Sequence, residues 1–241
     1  NTRMLSSLKK ATYVIANSEF TKKLAISKGV KADKIKVINP GIFPSKKISK
    51  KIITKAANIV GKSSPKLISV TRLVKRKGLH SVILALKNLQ AIYPNFLYVI
   101  LGSGEQAEQL KSLTNNMGLE NNILFLEKTS IELKNALLNQ SDIFLMPSIQ
   151  DGASVEGFGI SFLEASMFKT ACIGGKIGGA SDIIKHGVTG FLCDGEDQGD
   201  IYDALVKMMK KDLYKKMGVA AQAYSKKFIW NTQIKKYLIL I

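Results

Sequence analysis

The sequence predicts an α/β fold, a parallel sheet with helices on both faces, and three observations carry that expectation. From residue 66 onward, short apolar or β-branched runs alternate with longer amphipathic ones, the pattern of right-handed βαβ crossovers. The central short runs, Leu97-Tyr-Val-Ile-Leu101 and Ile143-Phe-Leu-Met146, have no polar alternation, as in strands covered on both faces. Apolar residues are 46% and charged residues 22% of the 241, the balance of a folded chain, which excludes disorder, collagen and coiled coil.

In order along the chain, Met4-Leu-Ser-Ser-Leu8 reads as the middle of a helix. Residues 11–16 are β-branched and apolar, a strand. Ser18 is placed to cap a helix over 19–29, with Leu24, Ile26 and Val30 on its apolar side and Gly29 as its stop. A strand at 34–38 ends in the turn Asn39-Pro40-Gly41. Residues 42–65 are Lys- and Ser-rich and read as a linker with room for a short helix. The regular part then predicts strands at 66–71, 96–101, 122–126, 142–146, 170–173 and 190–193. Between and after them fall helices at 78–92, 105–117, 130–140, 159–169, 180–186, 198–210 and 212–227. In such a sheet, ligands sit at the carboxyl ends of the strands, so the residues just past each strand are the ones to read.

Charge narrows the partners. Residues 1–78 hold 20 Lys and Arg against two acids, Glu19 and Asp33, while the remainder holds 16 of each sign, so the whole net charge of +18 lies in the first third. That is either a lysine bias on solvated faces or a basic surface facing an anion: a phosphate-bearing ligand, an anionic membrane or a nucleic acid. Nucleic acid is disfavoured, because the region has only Tyr13, Phe20 and Phe43 as aromatics and no base-reading motif. Cys172 and Cys193 lack metal-ligand spacing, which points to a reduced compartment without disulfides or structural zinc. No apolar run approaches the ~18–20 residues that span a bilayer, and no secretory signal pattern opens the sequence. A start inside a helix and an apolar end, Tyr237-Leu-Ile-Leu-Ile241, lead us to expect a fragment with a missing partner surface.

Two segments carry chemistry. Thr71-Arg72-Leu-Val-Lys75-Arg76-Lys77-Gly78 crowds four cations into a strand-to-helix turn; against a diphosphate, Arg72 can donate two hydrogen bonds and Lys77 adds a point charge. Glu156-Gly157-Phe158-Gly159-Ile160-Ser-Phe-Leu-Glu164 follows the strand exit Met146-Pro147-Ser148. Its glycines let backbone approach a ligand, and the free N–H groups that open the next helix suit a phosphate or sugar oxygen. Glu164, one turn inside that helix, can accept two hydrogen bonds from a ribose diol and leaves Glu156 for a second polyol. Two glutamates at a helix start favoured by its dipole would be the plainer account of the same residues.

With these segments in view, the chain resembles the donor-binding half of a retaining glycosyltransferase of family 4, the group 1 transferases. The resemblance also rests on Leu101-Gly102-Ser103-Gly104, Gly178-Gly-Ala-Ser-Asp182, Gly187-Val-Thr-Gly-Phe191 and Phe228-Ile-Trp230. A finer resemblance is to phosphatidylinositol mannosyltransferases and surface-polysaccharide enzymes. It implies the Rossmann-like C-terminal half of a GT-B fold: residues 1–41 a remnant of the acceptor domain, 42–65 a linker, 66–225 the donor-binding domain and 226–241 a C-terminal crossing helix. It implies hexosyl transfer with retention from GDP-mannose or a UDP-hexose to a glycan or lipid-linked acceptor. Arg72 and Lys77 would grip the diphosphate and Glu156 would meet the sugar, the three forming the catalytic set. Glu164 would hold the ribose, with Phe158, Gly159, Ile160, Gly102 and Gly104 lining the donor. No D-x-D occurs, so no cofactor and no metal are expected. The implied location is cytoplasmic, peripheral on an anionic inner membrane face. The chain departs from the family at Met167-Phe-Lys-Thr-Ala171, where a Gly and a Pro are usual, and most of the acceptor domain is missing, so this piece alone is expected to be inactive.

Other signals weigh less. Gly61-Lys62-Ser63 ends like a P-loop, but Ala56 stands where Gly is needed. Gly102-x-Gly104-x-x-Ala107, with Glu127 ending the next strand, keeps an NAD(P)-dependent oxidoreductase as a remote alternative. A nearer alternative is an orphan nucleotide-sugar-binding module. His80 and His186 lack companions for metal or catalysis, and Trp230, Met208, Met209 and Met217 suit packing.

Overall fold

The computed structural model describes residues 2–44 and 47–240; Asn1 and Ile241 at the two ends, and Ser45 and Lys46 within the expected linker, lie outside them. The larger unit is a six-stranded parallel sheet of β3 (Lys66–Val70), β4 (Leu97–Leu101), β5 (Ile123–Leu126), β6 (Ile143–Met146), β7 (Ala171–Gly175) and β8 (Gly190–Cys193). The strand order is β5-β4-β3-β6-β7-β8, so the winding reverses between β3 and β6, the place where such sheets open a ligand crevice.

Successive residues of each strand point to opposite faces, which is why both faces need apolar cover. Leu67, Tyr98, Ile100, Leu145 and Ile173 fill one core beneath α4 (Leu79–Leu89), α5 (Ala107–Asn116) and α9 (Gln198–Met209). Ile68, Val99, Phe144, Met146 and Cys172 fill the other beneath α6 (Ile131–Gln140) and α7 (Ile160–Met167), where Phe144 and Phe162 meet edge to face at 5.5 Å. The alternation Leu67/Ile68 and Phe144/Leu145 accounts for the continuous apolar runs.

Residues 50–60 do more than link. They form α3 (Lys50–Val60), whose Ala56 and Val60 are buried in the second core against the α6 side. β7 runs two residues past the expected end, because Gly174 and Gly175 pair with Leu192 and Cys193. The helix expected over 180–186 is only α8 (Ala180–Ile183), since Ile184 turns extended. Lys169 adopts a left-handed φ of +62° in the turn where the resemblance expected Gly, so that departure is absorbed by a turn. The last long helix is α10 (Leu213–Ser225).

The first residues form a smaller unit of α1 (Thr2–Lys10), β1 (Val14–Ala16), α2 (Glu19–Ser27) and β2 (Ile35–Val37). β1 and β2 pair in parallel over three residues each, shorter than expected, around a small core of Val14, Ala16, Val30 and Ile35. Ser18 caps α2 in a capping box with Thr21. The chain crosses to the larger unit beside α11 (Trp230–Leu238). Ile42 N–H donates to the Phe228 carbonyl at 2.9 Å, and Trp230 N–H to the Ile42 carbonyl at 3.0 Å. No helix among the described residues is long and apolar enough to cross a membrane.

Candidate functional site

The cationic turn leaves β3 and the glutamate loop leaves β6, so both segments open onto the crevice where the winding reverses. β3 and β6 pair in parallel, Leu67 with Ile143 and Ile68 with Phe144, so both strands exit at the same end of the sheet. At that end the hydroxyls of Thr71 and Ser148 are buried and form no hydrogen bond within the protein. Two such groups at neighbouring strand exits make a polar floor with capacity to spare.

On that floor stands a buried charge cluster. Lys77 Nζ and Arg76 Nη1 both donate to Oε2 of Glu156, the guanidinium at 3.0 Å. Only 9%, 13% and 11% of the Lys77, Arg76 and Glu156 side chains is exposed. Burial works against both signs of charge. For Lys77 it prevails: desolvation, helped by Arg76 and Arg72, lowers the ammonium from its usual 10.5 against the pull of Glu156. For Glu156 burial raises the carboxyl, but the charges and hydrogen bonds of Lys77 and Arg76 outweigh it and hold the group below the usual range. Lys77 also lies 3.4 Å from the Met146 sulfur.

Backbone geometry holds both segments in place. The Gly102 and Gly104 loop after β4 lies flat on the turn: Leu73 N–H donates to the Ser103 carbonyl at 2.8 Å and Gln106 N–H to the Leu73 carbonyl at 2.9 Å. A Cβ on Gly102 would stand 1.8 Å from the Thr71 carbonyl oxygen, and one on Gly104 2.4 Å from that of Leu73. These two glycines, expected to line the donor, have a definite structural duty here: they let the loop after β4 pack against the backbone on either side of Arg72. Gly159, at φ +87°, caps α7 without any side-chain hydrogen bond, leaving the helix start open. Phe158 is buried against Phe228 at 5.9 Å, so backbone rather than ring faces the crevice side, while Ile160 is exposed.

The structure therefore joins Lys77 and Glu156 directly. Arg72 is exposed, and its guanidinium makes no ion pair or hydrogen bond among the described residues, although its carbonyl accepts from Val74 N–H at 3.0 Å. Glu164, one turn into α7, is bonded instead to Lys134 of α6 at 2.5 Å. Sequence reasoning missed Arg76 as a partner of Glu156, and Lys134; the first was signalled only by its place beside Lys77. It also missed how the small unit meets the loop. Asn17 packs on Gly157, and Asp182 accepts from Glu19 N–H and Asn39 Nδ2, each at 3.0 Å. The exit of β1 thus packs directly on the glutamate loop. No cluster of His, Cys, Asp and Glu among the described residues has the makings of a metal site.

Comparisons with known proteins converge. The family profile described as glycosyl transferases group 1 matches residues 50–225. A Mycobacterium tuberculosis protein named GDP-mannose-dependent alpha-(1-6)-phosphatidylinositol monomannoside mannosyltransferase is 31% identical over 176 residues, 71% of this chain and 46% of that protein. An uncharacterized glycosyltransferase of Methanocaldococcus jannaschii is 30% identical over 236 residues, 95% of this chain and 58% of that protein. Among solved structures, Anabaena HepE in complex with UDP-glucose superposes with a TM-score of 0.84 at 25% identity, covering 100% of this chain and 67% of that one. The chain spans about half the length of the curated relatives it matches.

Proposed function

Since the chain belongs to the group 1 glycosyltransferases and carries the Rossmann-like half of a GT-B fold, we propose that it binds a nucleotide-diphosphate sugar and serves hexosyl transfer with retention of configuration. The observation that supports this most is the meeting of the cationic turn and the glutamate loop at the β3/β6 crevice. In this reading Arg72 and Lys77 bind the diphosphate, and Glu164 exchanges Lys134 for the ribose diol. Glu156, beside backbone from Phe158, Gly159 and Ile160, receives the sugar. Cleaving a sugar–phosphate bond builds negative charge on the leaving diphosphate, which fixed cations stabilise without a metal. The names of relatives favour GDP-mannose or a UDP-hexose as donor, since the mycobacterial protein is called GDP-mannose-dependent and the Anabaena structure holds UDP-glucose. A glycan or lipid-linked acceptor would enter from the β1 side of the crevice. A nucleotide-sugar-binding module without transfer is the second reading. Acceptor-dependent release of nucleoside diphosphate distinguishes the two.

Titration calorimetry with UDP, GDP and ADP tests the donor site. Arg72→Ala should weaken the preferred diphosphate by about 1.5–3 kcal/mol, the range for a hydrogen bond to a charged group. Equal affinity for the variant and the parent chain would remove Arg72 from the site.

The basic first third bears on the acceptor. Lys9, Lys10, Lys23, Lys28, Lys31, Lys36, Lys47, Lys50, Lys51 and Lys55 are all exposed, and we propose that they seat the protein on an anionic cytoplasmic leaflet. Binding to vesicles containing phosphatidylserine should exceed binding to neutral vesicles and fade with salt, at about 1 kcal/mol per well-placed lysine. Co-sedimentation indifferent to lipid charge would leave the lysines as solvated surface only.

A further inference from the structure

The donor reading gives Lys77 two anions to serve. In the structure its ammonium is spent on Glu156, yet the same ammonium is the one proposed to meet the diphosphate. A compact ammonium on a flexible stem can change partners; a planar guanidinium held by its neighbours keeps its geometry. When Lys77 turns away, Glu156 loses one of its two counter-charges just as a further anion arrives beside it. A buried carboxylate in that position takes up a proton or swings out, unless a second cation remains.

That second cation is present. Arg76 Nη1 bonds the same oxygen of Glu156 that Lys77 bonds, at 3.0 Å, from a side chain only 13% exposed. Its backbone is tied to the glutamate side of the crevice, since Ile149 N–H donates to the Arg76 carbonyl at 2.8 Å. Arg72 is exposed, and its guanidinium, the other one of the turn, is bonded to nothing among the described residues, so it is free for the ligand. The turn therefore divides its four cations: Arg72 exposed, Lys75 exposed and 3.9 Å from Asp151, Lys77 shared and Arg76 committed. We propose that Arg76 is a positioning residue, which keeps the Glu156 carboxylate charged and in place while Lys77 is drawn to the bound diphosphate. This rests on the donor reading above, and it adds a residue that the sequence pattern left among a crowd of cations.

Carbon-13 NMR of the glutamate carboxyls in the 241-residue chain tests it, with the Glu156 signal assigned by its loss in Glu156→Gln. UDP and GDP are the probes, and calorimetry first identifies which of them binds. In the parent chain the Glu156 carboxyl should titrate at much the same low pH with and without the nucleotide. In Arg76→Gln it should titrate somewhat above the parent position while Lys77 still faces it, because one of two counter-charges is gone, and at distinctly higher pH again once the nucleotide is bound. Arg76→Lys should restore much of the parent behaviour. A shift in Arg76→Gln that is the same with and without nucleotide, or no shift at all, would reduce Arg76 to a structural ion pair and overturn the proposal while leaving the donor site standing. If neither UDP nor GDP binds the parent chain, the donor reading fails and this proposal with it.

Discussion

Glu156→Gln should lower the stability of the chain by about 3–5 kcal/mol, the usual cost of breaking a buried pair from one side. The change is nearly isosteric, so the loss is electrical. It leaves Lys77 and Arg76 side by side, both largely buried, with no anion between them. Two consequences separate this from ordinary core damage. First, an added nucleoside diphosphate supplies the missing anion, so UDP or GDP should raise the melting temperature of the variant more than that of the parent chain. Second, the effect depends on pH with a definite sign. The folded carboxyl lies below its usual range, because the two cations outweigh its burial. Its contribution is therefore complete above the unfolded value, about pH 4.3, and is lost as pH falls through the folded pKa. The gap in urea midpoint between the parent chain and Glu156→Gln should be widest near neutrality and should narrow on acidification. Matching midpoints at neutral pH, or a gap that ignores pH, would mean that Glu156 is not the counter-charge of the turn.

The residues at stake show how far the sequence could be read. The parallel sheet was legible because its strands are buried on both faces and so are apolar without alternation, as in Leu97–Leu101 and Ile143–Met146. The two glutamates and the cationic turn were legible as chemistry, since their residue types and their places after strands are local facts. Their pairing was not. Lys77 and Glu156 are 79 positions apart, and only the closing of β3 onto β6 brings them together. The same holds for Asp182 with Asn39, 143 positions apart, and for Lys134 with Glu164, which lie on separate helices. Helix α3 was obscured for another reason. Its exposed face carries Lys50, Lys51 and Lys55, and its core face of Ile52, Ala56, Ile59 and Val60 lies inside a Lys- and Ser-rich stretch, so composition alone resembles a linker. The end of β7 was obscured because Gly174 and Gly175 read as a strand stop. They are strand residues because neighbours crowd them; a Cβ on Gly175 would stand 2.0 Å from the Ser148 carbonyl oxygen.

Gly102 is the residue whose role most divides the two kinds of reading, and Gly102→Ala should be the most damaging single methyl in the site. As part of a Gly-x-Gly after a strand, it reads as room for a ligand. In the folded chain the room is already taken. The residue sits at φ +150°, and a methyl there would meet the Thr71 carbonyl oxygen at 1.8 Å. Neither atom can yield alone, because Thr71 N–H is bonded to the Leu101 carbonyl at 3.0 Å and Leu73 N–H to the Ser103 carbonyl at 2.8 Å. The exits of β3 and β4 would have to part. The backbone strain costs about 1–3 kcal/mol by itself, and displacement of the two strand exits adds to it. Gly61 offers the control: its φ is +54° with open space around it, so Gly61→Ala should cost only the backbone strain, about 1–3 kcal/mol, with no clash added. Arg72 sits between the two ties, so Gly102→Ala should also weaken nucleoside diphosphate binding as strongly as Arg72→Ala does. Denaturation without any nucleotide separates the alternatives. A large loss there places Gly102 in the support of the turn. Unchanged stability with lost binding would instead show that the glycine makes room for the ligand itself, and that the clash with Thr71 is relieved at little cost.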